Sequence, residues 1–150
     1  MKNKPGRISA LLLLSVLIVL SAILSNCAYI TGEAIEISVP PPPVAKDITP
    51  EEANMMLMAS SFFIIVIDVR TPEEYTGGYI DNAINVDFNS DNFSDEINRF
   101  DQDKIYLIYC RSGKRSAAAS NVMAKLGFKN IYNMTGGILA WEATGLPIVK

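Results

Sequence analysis

The segment Tyr109-Cys110-Arg111-Ser112-Gly113-Lys114-Arg115-Ser116 is where residue types and spacing promise chemistry. Cysteine attacks only as its thiolate, and a free thiol near pKa ~8.5 is a few per cent ionised at neutral pH. A cysteine at a strand end is, taken alone, more often a small core residue than a nucleophile. Its surroundings change that reading. Gly113 lets the backbone curl closely, so that successive N–H groups can face an anion. A helix beginning near Ser116 adds its positive end. Arg111, Lys114 and Arg115 place three cations within five residues of the sulfur. Moving a thiol from ~8.5 to ~6.5 requires about 2.7 kcal/mol of preferential stabilisation of the anion. A helix terminus contributes ~0.3–1 kcal/mol, or up to ~2 when partly buried, and inward amides with fixed cations supply the rest. The chemistry also requires that the thiol be within reach of solvent.

Composition narrows the alternatives. The 150-residue chain holds no histidine, which removes Ser-His-Asp and Cys-His catalysis, histidine-containing zinc sites and histidine pH switching. Two distant cysteines exclude a four-cysteine cluster and a disulfide framework, so neither a metal nor another cofactor is expected. With a net charge of −3 and no basic face beyond the first residues and the Cys110 loop, nucleic acid is not an expected partner.

The elements that must position Cys110 read as alternating helices and strands. Thr49-Pro50-Glu51-Glu52 is a capped helix start, with a helix running through Met55–Met58 to about Ser60-Ser61. Met55, Met56 and Met58 suit core packing better than copper binding. The run Phe62 to Ile67, ending at Asp68-Val69-Arg70, is a strand buried on both faces, as in a parallel sheet. Thr71-Pro72-Glu73-Glu74-Tyr75 restarts a short helix, and Gly77-Gly78 breaks it. Ala83–Val86 is a short strand, and Asn92 to Phe100 a helix. Ile105–Tyr109 is a buried strand that delivers Cys110. Ser116 to Leu126 is an alanine-rich helix stopped by Gly127, and Ile131–Asn133 is the last parallel strand. Gly136-Gly137 then turns into a short helix through Trp141, a residue assigned to the core. Such alternation means an α/β fold with a mostly parallel central sheet. Functional groups in these folds gather where strand ends meet helix starts. Asp68 and Arg70, at a strand end, are assigned as structural support that braces the loop, and Glu73 and Glu74 as helix-start acids without a chemical role.

Residues 1–27 read as an address. Lys2, Lys4 and Arg7 precede an apolar run from Ile8 to Leu24, the pattern of an export signal. Leu24-Ser25-Asn26-Cys27 resembles the lipobox of prokaryotic lipoproteins, with Asn26 where that motif prefers Gly, Ala or Ser. The resemblance implies lipidation at Cys27; an uncleaved signal anchor is the alternative. Either way the domain is tethered to a membrane on its extracytoplasmic face. Residues 28–46, containing Pro40-Pro41-Pro42-Pro43, form a semi-rigid spacer, and the folded domain spans residues 47–150.

The loop from Cys110 to Ser116 resembles the active-site loop of the rhodanese family. The likeness extends to Asp68-Val69-Arg70 before Thr71-Pro72-Glu73-Glu74-Tyr75, to Gly136-Gly137-Ile138-Leu139-Ala140-Trp141 and to Gly145-Leu146-Pro147. It implies the family's three-layer fold, with helices on both faces of the sheet. It also implies that Cys110 takes a sulfane sulfur from a small donor such as thiosulfate and passes it, as a persulfide, to cyanide or a thiol. Backbone N–H groups from Arg111 to Ser116, including those of Ser112 and Gly113, would hold the persulfide anion, and Lys114 and Arg115 would attract the donor. Where the family often has Gly-His-Ile-Pro-Gly-Ala, this chain has Gly78-Tyr79-Ile80-Asp81-Asn82-Ala83. Two alternatives stand beside the enzyme. One is a membrane-tethered sulfur carrier serving a protein acceptor. The other is a phosphatase or arsenate reductase on the same fold, which would need Cys-x₅-Arg, one residue more than separates Cys110 from Arg115. The domain has no second cysteine, which argues against an intramolecular dithiol role.

Overall fold

The computed structural model of the protein describes residues 45–150. The address segment, with the lipidation candidate Cys27, and nearly all of the proline spacer lie outside the described residues. Among the described residues, no helix is long and apolar enough to cross a membrane.

Five strands form one sheet: β1 (Lys46–Ile48), β2 (Ile64–Asp68), β3 (Ile84–Asn85), β4 (Ile105–Tyr109) and β5 (Asn130–Met134). They lie in the order β1-β5-β4-β2-β3, and every neighbouring pair is parallel. The connecting helices are α1 (Pro50–Ser60), α2 (Pro72–Thr76), α3 (Phe93–Ile97), α4 (Lys114–Lys125) and α5 (Gly137–Ala143). Period-two alternation divides the strand side chains between two cores. Ile67, Ile108 and Ile131 pack with Phe93 and Ile97 of α3 and with Ala119 and Met123 of α4. Val66, Leu107 and Met134 pack on the other face with Ala53 of α1 and with Ile138 and Trp141 of α5. The fold is therefore the three-layer α/β arrangement expected from sequence. Each fully buried aliphatic side chain contributes roughly 1.5–3 kcal/mol to holding the layers together.

The order of strands fixes where a site can form. From β2 the chain first moves to β3 on one side, then crosses to β4 on the other. The carboxyl ends of β2 and β4 thus flank the point where the winding reverses, which is where ligands enter open α/β sheets. Asp68 ends β2 and pairs in register with Tyr109, the last residue of β4. Cys110 is the next residue.

Local details depart from the sequence expectations for physical reasons. Lys46-Asp47-Ile48 is an edge strand against β5 rather than the approach to a helix. Phe62 and Phe63 belong to a 3₁₀ turn before β2 and are largely exposed. Met55 and Met58 also face outward, at 61 % and 81 % exposure, because α1 turns Ala53, not these residues, toward the core; only Met56 packs against the core margin. Helix α3 is limited to five residues, short of the span from Asn92 to Phe100. Helix α4 starts two residues before Ser116, with Gly113 at its N-cap. Its other end follows the glycine stop. Gly127 adopts a φ of +95°, and the Phe128 amide donates to the Met123 carbonyl at 3.1 Å.

Candidate active site

The site is a main-chain construction in which β4 brings the sulfur, α4 supplies donors and α5 turns the loop inside out. Because α4 begins at Lys114, the amides of its first turn have no partner within the helix and are available to the loop. The Gly113 amide donates to Cys110 Sγ at 3.1 Å. The Ser116 hydroxyl donates to the Gly113 carbonyl at 3.1 Å. Burial pushes the Cys110 thiol up and is the largest single influence on it. The hydrogen bonds from the Ser116 amide and hydroxyl and from the Ser112 and Gly113 amides together outweigh that burial, so the thiol ionises below its ordinary value.

Two glycines make this geometry possible. Gly113 has a φ of +88°, and a Cβ there would stand 3.0 Å from the Gly136 nitrogen. At Gly137 a Cβ would lie 2.3 Å from the Cys110 carbonyl oxygen and 2.6 Å from that of Arg111, so no side chain has room. The close approach lets the first turn of α5 capture the loop's carbonyls. The Ile138 amide donates to the Cys110 carbonyl at 2.9 Å, and the Leu139 amide donates to that of Arg111 at 3.2 Å. With its carbonyls held outward, the loop presents N–H groups inward. Sequence reading treated Gly136-Gly137 as a turn and missed this clamp; the available signal was a glycine pair directly before an apolar helical turn.

The charged residues divide into three groups. Arg111 and Lys114 are exposed and have no ion-pair partner among the described residues. Arg115, expected to attract a donor, is instead engaged by Glu74, with its two terminal nitrogens 2.7 and 2.8 Å from the two carboxylate oxygens. The same Glu74 accepts from the Thr71 amide at 3.2 Å while Thr71 Oγ1 accepts from the Glu74 amide, a reciprocal cap on α2. The Arg115 guanidinium holds the Glu74 carboxyl down at about 2, against the opposing effect of burial. Glu74 therefore does more than start a helix, which corrects the sequence assignment.

Asp68 and Arg70 form the third group. Arg70 Nε lies 3.0 and 2.9 Å from the two Asp68 oxygens, and its Nη2 lies 2.6 Å from Oδ2. The same Nη2 donates to the Gly78 carbonyl at 2.7 Å. The guanidinium carbon sits 5.7 Å from the centre of the Tyr109 ring, and the Tyr109 hydroxyl oxygen accepts from the Ile80 amide at 3.1 Å. Burial, reinforced by Asp68, pushes the Tyr109 phenol far up, so it stays neutral. This network ties the ends of β2 and β4 to residues 78–80. In that departing loop, Tyr79 stacks on Tyr75 with ring centres 4.2 Å apart, and Asn82 takes a φ of +60°, which asparagine tolerates better than most residues.

Accessibility differs from the sequence expectation. Cys110 is 1 % exposed, so the sulfur lies beneath the loop surface, whereas the sequence reading required it within reach of solvent. A polar cavity of about 220 Å³, lined by Arg70, Glu74, Arg111 and Glu142 among others, opens beside the loop. Among the described residues, no cluster of His, Cys, Asp or Glu could hold a metal ion.

The chain matches the family model described as the rhodanese-like domain over residues 49–144. It is 34 % identical over 98 residues to a sulfurtransferase of Allochromatium vinosum, covering 65 % of this chain and 90 % of that protein. It is likewise 34 % identical over 99 residues to the thiosulfate sulfurtransferase GlpE of Pseudomonas entomophila, covering 66 % and 86 %. Among solved structures, a rhodanese-like domain protein from Staphylococcus aureus superposes with a TM-score of 0.59 at 36 % identity, covering 70 % of this chain and 99 % of that one.

Proposed function

Because the chain belongs to the rhodanese-like domain family, we propose that it is a sulfurtransferase in which Cys110 carries the transferred atom as a persulfide. The observation that carries this reading is the Gly113 amide donating to the sulfur at 3.1 Å, in a loop whose donors at Ser112, Gly113 and Ser116 hold the thiol below its ordinary value against burial. Such a set of donors favours an anion on sulfur without any imidazole.

In the first step the Cys110 thiolate attacks the outer sulfur of thiosulfate. A Cys110 S–S bond forms, the donor's own S–S bond breaks, and its electron pair leaves with sulfite. The charge of the thiolate passes to the terminal sulfur of the persulfide, where inward amides receive it. In the second step cyanide or a thiolate attacks that terminal sulfur, and the electron pair of the S–S bond returns to Cys110. No base is required, since neither step moves a proton off carbon or oxygen. Phosphate or arsenate chemistry is disfavoured, because Cys-x₅-Arg places the arginine six positions after the cysteine, whereas Arg115 is five after Cys110 and position 116 is Ser.

The test uses the full chain. Incubation with thiosulfate should add one sulfur to Cys110, read by intact mass, and cyanide should then yield thiocyanate. Cys110→Ser should lose both, and either signal surviving in that variant removes the assignment. Repeated turnover supports an enzyme with free small substrates, whereas a single loading that only a protein acceptor discharges supports the carrier. We further propose that residues 1–27 tether the domain outside the cytoplasm through Cys27 or the apolar run. Lipid labelling that persists in Cys27→Ser would refute the lipidated form.

A further inference from the structure

Lys114 and Arg115 are in the first turn of α4, the end of a helix where cations are disfavoured and anions welcome. Arg115 nevertheless sits there, close enough to feel the charge of Cys110. It is tolerated because Glu74 reaches across from α2 with both oxygens. We infer that Glu74 is a specificity-determining positioning residue. By cancelling the charge of Arg115 beside the Cys110 loop, it lowers the advantage of doubly charged donors and tilts the site toward donors of low charge, the class of persulfides of uncharged thiols, whose S–S bond breaks to release the parent thiolate as Cys110 takes the outer sulfur.

This inference rests on the sulfur-transfer reading and adds to it a donor class. The charge inventory supports it. Of the three cations that the loop sequence offers, Arg115 is neutralised by a bidentate contact and only Arg111 and Lys114 remain unpaired among the described residues. On the other side stand Glu74, Asp87 near Arg115, and Glu142, which lines the same cavity as Arg111. The mouth keeps Arg111 and Lys114 but loses the charge of Arg115, where the sequence alone had Lys114 and Arg115 both attract the donor. Thiosulfate gains less from such a mouth; a singly charged or neutral persulfide loses nothing.

Glu74→Gln isolates the charge. Glutamine preserves the reciprocal cap on α2 and one hydrogen bond to Arg115, but leaves the guanidinium charge unbalanced. The full-length chain is alkylated with iodoacetate, which is anionic, and with iodoacetamide, which is neutral and of similar size. Rates are read at the Cys110 peptide by mass spectrometry, so Cys27 does not interfere. The ratio of the two rates removes any change in thiolate content. At low salt Glu74→Gln should raise the iodoacetate-to-iodoacetamide ratio roughly threefold, and the effect should fade at high salt. KM for thiosulfate should fall about fivefold, with kcat changed by less than about twofold. Glu74→Asp, which keeps the charge, should restore most of the wild-type ratio, and Arg115→Gln should move it in the opposite direction.

An unchanged ratio in both Glu74→Gln and Arg115→Gln overturns the inference, as does an equal change for charged and neutral reagents. A shifted ratio in a protein that loads no sulfur from any donor removes the sulfur-transfer reading, and the donor class with it. Failure of both reagents to reach Cys110 in the folded chain overturns the two together.

Discussion

Two acidic groups stand side by side at the carboxyl ends of β2 and β4, and the protein holds them in opposite ways. The Asp68 carboxylate is fully buried and is gripped by a guanidinium through contacts as short as 2.6 Å. The Cys110 sulfur, one strand away, receives neutral donors: backbone amides and one hydroxyl. A full counter-charge suits a group that must never react, because removing either partner of a buried pair costs several kcal/mol. It would suit a nucleophile poorly, since the attack would first have to break the pair. Dipoles fixed by the fold stabilise the anion while leaving its electron pair available.

The sharpest break of this comparison is at the sulfur itself. Cys110→Ser should eliminate sulfur loading entirely, as mass spectrometry of the thiosulfate-treated protein would read, while urea unfolding changes little. Next in size is the other acidic group. Asp68→Asn leaves the Arg70 charge buried without its partner and should lower unfolding stability by about 3–5 kcal/mol, measured by denaturant titration. The donor ring can be weakened without emptying it. Ser116→Ala removes the hydroxyl and should move the Cys110 pKa upward, followed by thiolate absorbance in the ultraviolet, and should slow loading most on the acid side of the thiol's titration.

The smallest effect concerns Glu74. Its carboxyl is held near 2 in the folded protein against an ordinary value of 4.5, so the unfolded chain binds the proton more readily. The stability it adds is complete above about pH 4.5 and drains away as pH falls toward 2. Glu74→Gln should therefore flatten that part of the stability–pH curve, measured by thermal melts between pH 5 and 2.5. A curve of wild-type shape would mean that the Glu74–Arg115 contact contributes nothing in solution.

Sequence reading was most successful where one local signal decides the outcome. Ile105–Tyr109 is a run of apolar and aromatic residues with no polar interruption, and it forms β4 at those bounds. Thr71 through Tyr75 carries its own cap, and α2 follows. It failed where the deciding partner is distant in the chain. Lys46-Asp47-Ile48 has two exposed residues of three and becomes a strand only because β5 offers an edge. Phe62 and Phe63 look like strand, yet the sheet begins two residues later and leaves them outside. Met55 and Met58 share a helical face by spacing and suit core packing, yet the turn of α1 faces them outward and it is Met56 that packs at the core margin. At the site, the loop residues were legible from type and spacing, but the pairing of Arg115 with Glu74 joins positions 41 apart. That is tertiary information, and no periodicity announces it.

The missing Cβ at Gly137 reaches beyond local packing. Since the anion's hosts are chiefly main-chain groups oriented by that bare contact, their identity is not written in the side chains of Arg111, Ser112 or Lys114. Those three positions can be varied together with the main-chain hosts of the sulfur carried over from one variant to the next. A library built there varies the side-chain charge around the sulfur while keeping its main-chain hosts, provided position 137 is left untouched.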